Sequence, residues 1–419
     1  MGRYTDYMEN TVFDYGMAEE INREDVKDFL NKIESFRSFG DGLKYIMKER
    51  YPDKEKEIEN APDKFLIQCC ETNNVPIKVI GARNTISGKN GWFNKVGGVK
   101  EGGPKGGDSN REKIFAIAFG LNLDFDLTQK LFQKVYLDRV FNIRNKNEMV
   151  YYYCIKNNRS WNNAKELIKN SNLCSNTKSN QNNTIYTSVM EGDVNAISTD
   201  QELLDYISLQ QYNLNKKNVK AKELLEELKS NAKYIAKIES QNVEYYPNEE
   251  GYGNFEFYGK SHNSIECMFY TIIAQEVSNK KGSKTVFGKN ARIRDSIKHN
   301  FPEVTVLNKK EPSYEEIRKM IILLFSYCYW FDSTWRCETF EDDSGVPVLA
   351  SRPEKNEPKI DIDDYLGEIN NTLFDAGLPE MYLGNPYDWM FIYCTLRPYP
   401  IDAFRNMISD ILSDENVSE

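Results

Sequence analysis

The sequence predicts a mostly α-helical, multi-domain protein with at most a small β element. Apolar residues recur at helical spacing through much of the chain, whereas the alternation that is typical of strands is sparse. Two stretches rich in glycine or asparagine interrupt the helical pattern and indicate linkers. A chain of 419 residues is long enough for more than one hydrophobic core, so we expect several domains.

Two segments of the N-terminal third have clear helical spacing. Residues 23–49 place apolar side chains three and four positions apart, at Val26, Phe29, Leu30, Ile33 and Phe36. Within this segment Gly40 and Gly42 are predicted to separate two helices. Residues 111–137 show the same spacing on both sides of Gly120, which predicts a second helix break.

Two later segments are also predicted to be helical. Residues 219–240 carry one apolar stripe among lysines and glutamates, formed by Leu224, Leu225, Leu228, Ile235 and Ile238. Ser313 and Glu316 match a capping box, which predicts the start of an apolar helix that runs to about Trp330. Strand signals are confined to residues 243–258, where aromatic and polar residues alternate, and to residues 304–307.

Two linkers divide the chain into three predicted regions. Residues 96–110 carry three Gly-Gly pairs and a proline, and residues 169–184 are nearly all Asn, Ser, Lys and Thr. We therefore expect a helical domain over residues 1–170, a central helical domain over residues 185–335, and an acidic C-terminal helical hairpin region over residues 336–419.

One short pattern occurs twice in the sequence. Asn145 is followed three residues later by Glu148 and then by the aromatic run that ends at Cys154; Asn385 is likewise followed by Asp388 and a run that ends at Cys394. An asparagine cap and an acid in the first turn suit a helix start. Both copies are predicted to be helical hairpins with inward-facing Tyr and Cys. Either a favourable hairpin recurs, or a module has been duplicated.

Charge is distributed unevenly along the chain. The net charge of −10 argues against a protein that coats nucleic acid by charge alone. Residues 61–112 contain eight Lys/Arg and five Asp/Glu, whereas residues 338–419 contain five Lys/Arg and eighteen Asp/Glu. Because the acidic region repels phosphate, we expect any contact with nucleic acid to come from the N-terminal third.

The composition also bears on compartment and cofactors. No apolar run is long enough for a membrane span, and the N-terminus is acidic and polar where a signal peptide would be basic and then apolar, so a cytoplasmic location is expected. The eight cysteines form no CxxC pair, and His262 and His299 are the only histidines. These features predict reduced, buried thiols, no metal site and no cofactor.

No stretch of the sequence matches a catalytic site. The glycine-rich residues 102–107 lack the spacing of a phosphate-binding loop and the hydroxyl residue after its lysine. The acidic triplet Asp361, Asp363 and Asp364 precedes a predicted helix, and a cap with an acidic first turn explains it more simply than magnesium binding does. A non-enzymatic protein is therefore favoured.

The segment 61–142 is the best candidate for a DNA-binding region. A helix over residues 61–73 and a turn-rich stretch precede residues 83–93, which have the polar and cationic side chains of a helix-turn-helix reader. Trp92 and Phe93 would anchor this element, although Gly88 and Gly91 each cost roughly 1 kcal/mol inside a helix. The predicted DNA contacts are Arg83, Asn84, Thr85, Ser87, Lys89 and Asn90, with Lys95 and Lys105 on phosphates.

The residues that follow resemble a known family. The run from Asn110 to Leu123, with Thr128, Leu131 and Phe132, is similar to the helical segment behind the DNA-binding unit of lambda-repressor-like bacterial regulators. Residues 136–144, 317–324 and 384–389 are similar to a group of proteins from bacterial mobile elements. The resemblance implies a helix-turn-helix-like N-terminal domain and a regulatory role.

We therefore expect a non-enzymatic DNA-binding or regulatory protein of a mobile element, with phage defence or counter-defence as one candidate role. It would bind double-stranded DNA through its N-terminal region and no membrane. The alternative is a protein–protein inhibitor or adaptor whose acidic tail mimics nucleic acid for a basic partner. A third class is a metal-dependent nuclease that uses Asp361, Asp363 and Asp364.

Overall fold

Helices dominate the computed structural model of the protein, as the sequence predicts. The structure describes residues 18, 20–31, 38–89, 91–94, 108–138, 140–173, 187–210, 214, 219–241, 265–273, 301–309, 312–334, 339–341, 347–349 and 360–413. Within these ranges the β structure is one antiparallel pair, β1 (Thr339–Glu341) and β2 (Pro347–Leu349). Contacts divide the chain into unit 1, mainly residues 37–220, and unit 2, mainly residues 2–36, 221–376 and 380–419.

The helices of unit 1 are short and follow one another closely. They are α2 (Phe39–Arg50), α3 (Glu55–Asn60), α4 (Pro62–Thr72), α5 (Ile77–Ile80), α6 (Arg83–Ser87), α7 (Asp108–Gly120), α8 (Phe125–Lys130), α9 (Lys146–Lys156), α10 (Trp161–Leu173), α11 (Thr187–Ala196) and α12 (Asp200–Leu209). A π-helix, Leu131–Tyr136, continues α8. The N-terminal helix α1 (Arg23–Asn31) belongs to unit 2.

Unit 2 contains longer helices. They are α13 (Val219–Gln241), α14 (Ile265–Ile273), α15 (Tyr314–Thr334), α16 (Ile362–Asp375), α17 (Pro386–Thr395) and α18 (Pro400–Ser413). The predicted capping box opens α15, because Glu316 N donates to Ser313 Oγ at 3.2 Å and Ser313 N donates to Glu316 Oε2 at 2.6 Å. Residues 304–307 were expected to form a strand, but Val304–Asn308 is a 3₁₀-helix with three buried apolar side chains.

The units divide at Lys220 and Ala221, later than the border expected over residues 170–185. The reason is that α11 and α12 pack back on α9 and α10. The expected linkers are also shorter than their sequence segments. Residues 108–110 already belong to α7 and residues 169–173 to α10, whereas residues 96–107 and 174–184 lie outside the described residues, as do residues 243–258.

The expectation that Gly40 and Gly42 separate two helices is wrong. Both glycines lie inside α2, which begins after Ser38, whose side chain accepts from Asp41 N. A Cβ at Gly40 would meet the Trp92 carbonyl oxygen at 1.9 Å, and one at Gly42 would meet Val135 Cγ1 at 2.9 Å. Tight packing explains these glycines, and a helix break does not.

Each unit has its own apolar core. In unit 1 the core centres on α7, where the ring of Phe115 lies 4.6 Å from Phe132 and 4.9 Å from Tyr151. In unit 2 the core surrounds α15, where Trp330 contacts Phe391 and Phe404 and its Nε1 donates to Thr395 Oγ1 at 2.9 Å. Aromatic side chains bury large areas, so a few rings account for much of each core.

A buried arginine in unit 1 holds two helices together. Arg111, on the first turn of α7, donates from Nε and Nη2 to the two carboxylate oxygens of Glu148 at 2.8 and 2.7 Å. Its Nη2 also donates to Val140 O at 2.9 Å, and its Nη1 donates to Asp138 Oδ2 at 2.7 Å. Burial opposes the charge, but attraction to Asp138 and Glu148 outweighs it and raises the pKa of the guanidinium above its ordinary value.

Unit 2 contains the same arrangement. Arg318, on α15, donates from Nη1 and Nη2 to the two oxygens of Asp388 at 2.8 and 2.7 Å, and from Nη2 to Glu380 O at 2.8 Å. Arg318 is 7% exposed and Asp388 is fully buried. We call each of these buried pairs, Arg111 with Glu148 and Arg318 with Asp388, an arginine clasp.

The two clasps agree in the spacing of the groups that precede the acid. In both, the arginine also bonds the carbonyl eight residues before the acid, and the acid accepts the N–H six residues before itself, from Asn142 at 2.7 Å and from Tyr382 at 3.0 Å. In both, the asparagine three residues before the acid caps the helix, as expected for Asn145 and Asn385. Tyr153, Cys154, Tyr393 and Cys394 are buried, as predicted. This agreement favours duplication of one module, α7 to α10 in unit 1 and α15 to α18 in unit 2, over the recurrence of a favourable hairpin.

Neutralising the acid of either clasp should destabilise the protein strongly. Glu148→Gln and Asp388→Asn replace the carboxylate that pairs with a buried guanidinium by a neutral amide, so each should lower the free energy of unfolding by about 3–5 kcal/mol. Urea unfolding followed by circular dichroism would measure this. The control is Glu57→Gln, which removes an exposed pair with Lys54 at 3.4 Å and should cost at most about 1 kcal/mol. Equal effects of all three would contradict a structural role for the clasps.

Candidate nucleic-acid interface

The predicted DNA-binding segment forms two very short helices supported by longer ones. Helix α4 contacts α5 and α6, and α5 packs on α7. The reader element predicted over residues 83–93 is helical only over α6, because Gly88 takes an extended conformation and ends the helix after Ser87. Gly88 therefore does not occupy a helix interior. The polar residues of α6 therefore lie within about one and a half helical turns.

The segment after α6 folds back on it. Trp92 N donates to Thr85 O at 3.0 Å, Gly91 N donates to Gly88 O at 2.7 Å, and Asn94 Nδ2 donates to Ser87 O at 3.1 Å. Trp92 is 3% exposed, and Phe93 is half-buried against the same core. These two residues anchor the segment, as the sequence predicts.

The anchor depends on the absence of a side chain at Gly40. The Trp92 carbonyl lies where a Cβ of residue 40 would be, and the Trp92 ring packs edge-on against Phe39 with centroids 5.1 Å apart. Ile86, the buried residue of α6, completes the contact with the core. Helix α2 therefore fixes the loop that carries the candidate residues.

Several of the candidate residues are exposed together on this anchored segment. Arg83, Asn84, Thr85 and Lys89 are exposed, and Ser87 is half-buried. Asn90, Lys95 and Lys105 lie outside the described residues. Four of the eight candidates are thus exposed on one short segment; we call the exposed residues between Lys78 and Lys89 the α5–α6 surface.

The charge of this region is more one-sided than its overall balance indicates. Between Glu71 and Glu101 the sequence has no Asp or Glu but five cations, Lys78, Arg83, Lys89, Lys95 and Lys100. Lys78 is exposed on α5 and was not among the predicted residues. Counting charge over residues 61–112 concealed this run, because acids at both ends of that range offset the cations.

The acidic candidates of unit 2 occupy the start of α16. Asp361 is the N-cap, and its Oδ1 accepts from Asp363 N at 2.9 Å, while Asp363 and Asp364 lie in the first turn. This is the cap that the sequence favours over a metal site. The outer side of α16 also exposes Glu368, Asp375 and Phe374, the last of which is 68% exposed.

Among the described residues, five cysteines are free thiols. Burial raises the pKa of Cys70, Cys154 and Cys328 to about 12 and raises that of Cys394 further. Cys69 is half-buried, and burial also raises its pKa. Since the thiolate is the reactive form, these five groups do not have the electrostatic environment of a catalytic nucleophile.

A methyl group at Gly40 should displace the loop that carries the α5–α6 surface. Gly40→Ala should lower the free energy of unfolding by about 1–3 kcal/mol, because the Trp92 backbone must move. The matched control is Gly192→Ala on α11, where nothing lies within 4 Å of the added Cβ and a helical glycine is replaced, so stability should rise by about 0.5–1 kcal/mol. Urea unfolding gives both values, and equal destabilisation by the two variants would refute the packing argument.

No helix in the described part of the chain combines the length and apolar character needed to cross a membrane. Over the same residues, no three His, Cys, Asp or Glu side chains gather where they could hold a metal ion. No known protein family, curated protein or solved structure matches the chain.

Proposed function

We propose that unit 1 binds double-stranded DNA through the α5–α6 surface, and that the protein acts as a non-enzymatic regulator. The observation that carries this proposal is the acid-free run between Glu71 and Glu101, whose cations Lys78, Arg83 and Lys89 are exposed on one anchored segment. Phosphate neutralisation by Lys and Arg supplies most of the affinity of such proteins for DNA.

The chemistry of the exposed residues allows a division of roles. Lys78 and Lys89 are compact cations suited to phosphate oxygens. Arg83 can donate two hydrogen bonds to guanine, and Asn84 can bond adenine in the major groove. Because α6 spans only residues 83–87, base contacts would be limited to its first turn. Few base contacts imply modest sequence specificity.

The similarity of residues 110–132 to lambda-repressor-like regulators supports the same proposal. So does the similarity of later segments to mobile-element proteins, which suggests regulation of such an element or a role in phage defence or counter-defence. The acidity of residues 338–419 fits a protein that avoids coating DNA indiscriminately.

Replacing Lys89 should weaken DNA binding without regard to sequence. Lys89→Ala should lower the affinity for every duplex and reduce the slope of log K against log salt by roughly one, because one phosphate contact is lost. Arg83→Ala should instead cost about 1–3 kcal/mol at a preferred site and less elsewhere. Fluorescence anisotropy with labelled duplexes over a salt series measures both effects.

The matched control is Lys56→Ala, which removes an exposed lysine of α3 between Glu55 and Glu57. It should leave affinity and salt slope unchanged, because the neighbouring acids repel phosphate. The proposal fails if the intact protein shows no salt-dependent binding to any duplex. It also fails if Lys56→Ala and Lys89→Ala weaken binding equally.

A second candidate function is that of an adaptor or inhibitor that binds a basic protein through α16. The favouring observation is the combination on one outer side of Asp363, Asp364, Glu368 and Asp375 with the exposed ring of Phe374. Carboxylates would match a cationic partner, and an exposed aromatic ring is a common anchor of protein interfaces. Mimicry of nucleic acid would follow from the same charge.

Removing the ring of Phe374 separates this function from DNA binding. In pull-downs from native lysate analysed for protein and nucleic acid, Phe374→Ser should reduce capture of a basic partner on the order of tenfold, because the interface loses its aromatic anchor. Leu209→Ser removes a comparably exposed apolar side chain from unit 1, at 59% exposure, and should leave capture unchanged. Capture that survives Phe374→Ser would exclude α16 as the anchor.

A further inference from the structure

In each module, a helix from outside the module packs on the hairpin that carries the clasp acid. In unit 1 the covering helix is α12, which packs on α10, and the Tyr153 hydroxyl donates to Asp200 Oδ1 at its start at 2.8 Å. In unit 2 the covering helix is α1, which packs on α18. Tyr393, placed like Tyr153 five residues after the clasp acid, contacts Arg397 through its ring at 4.2 Å.

Arg397 binds the backbone just before α1. Its Nη2 donates to Ala18 O at 2.9 Å and to Ile21 O at 2.8 Å. The face formed by α17 and α18 therefore recognises the backbone that leads into a helix, as the corresponding face of unit 1 recognises the start of α12. We call this face of unit 2 the α17–α18 face.

Side chains of α1 complete the contact. The ring of Phe29 lies 4.6 Å from that of Trp389, and Val26 and Leu30 are 3% and 0% exposed. At the other end, Arg23 forms a two-bond pair with Asp410 at 2.8 and 3.0 Å, with side chains 51% and 40% exposed. The apolar residues are spaced three and four apart, the pattern of an amphipathic helix in a groove.

The position of α1 in the sequence distinguishes the two modules. Helix α12 follows its own module in the sequence, after α11, whereas the residues of unit 1 stand between α1 and the rest of unit 2. The hydrogen bonds of Arg23 and Arg397 to their partners consequently join residues 376 to 387 positions apart. A nine-residue helix is too short to be stable alone, so α1 depends on a surface that receives it.

We propose that the α17–α18 face binds α1 of a second copy of this chain, by reciprocal exchange. A second copy presents the same groove, with the same Trp389, Arg397 and Asp410, so each exchanged helix recovers all of its contacts. Exchange of an identical element is a low-cost route to a dimer. This interface is independent of the proposed DNA-binding surface, which lies in unit 1.

A charge-swapped pair of full-length chains tests the exchange. One chain carries Arg23→Asp and the other carries Asp410→Arg, so within either chain alone the two positions repel. In a mixture, each α1 meets an opposite charge only on the other chain. Native mass spectrometry of an equal mixture, with one chain isotope-labelled, should show a ratio of mixed to like dimers about threefold or more above the statistical ratio.

Two controls fix the interpretation. A chain that carries both substitutions restores the pair within itself and should form no more dimer than the unmodified protein. Phe29→Ala in both partners should remove the mixed dimer, because the contact with Trp389 is lost, while circular dichroism checks that the helices remain. The proposal is overturned if the mixture stays monomeric, if dimers form in statistical proportion, or if they survive Phe29→Ala with the fold intact.

Discussion

The arginine clasp is the interaction on which each unit depends. A guanidinium that is 5–7% exposed is stable only if a carboxylate faces it and its remaining N–H groups find acceptors. Glu148 and Asp388 meet the first requirement, and the carbonyls of Val140 and Glu380 meet the second. Each clasp therefore fixes the two helices that it joins, and also the loop before the helix that carries Glu148 or Asp388.

The clasp also explains why a short sequence pattern can identify a whole module. The capping asparagine sets where the helix begins, and the acid three residues later on the same helix then faces the arginine. The residues around the two clasps differ in charge. Residues 108–173 contain eleven Lys/Arg and seven Asp/Glu, whereas residues 314–413 contain eight Lys/Arg and eighteen Asp/Glu. The two modules therefore share a buried frame but not a charge.

The α5–α6 surface depends on this frame in two steps. Helix α7, whose first turn carries Arg111, supports α5. Helix α2, through the space left at Gly40, then receives the Trp92 carbonyl and fixes the loop after α6. The exposed polar residues are therefore held by packing and backbone hydrogen bonds, although the helix that carries them is short.

The sequence by itself determined the helical class, the extent of a few helices such as those predicted over residues 61–73 and 219–240, the cap at Ser313 and the two asparagine-capped hairpins, because these depend on local periodicity and capping. Only the tertiary structure decided which arginine faces each acid, since Arg111 and Glu148 are 37 residues apart and Arg318 and Asp388 are 70 apart. It also decided that Gly40 serves close packing, a property that a glycine inside a helical pattern does not reveal. No local sequence pattern predicts that α1 belongs to unit 2, because the residues of unit 1 follow α1 in the sequence. The attachment depends on contacts between residues from opposite ends of the chain.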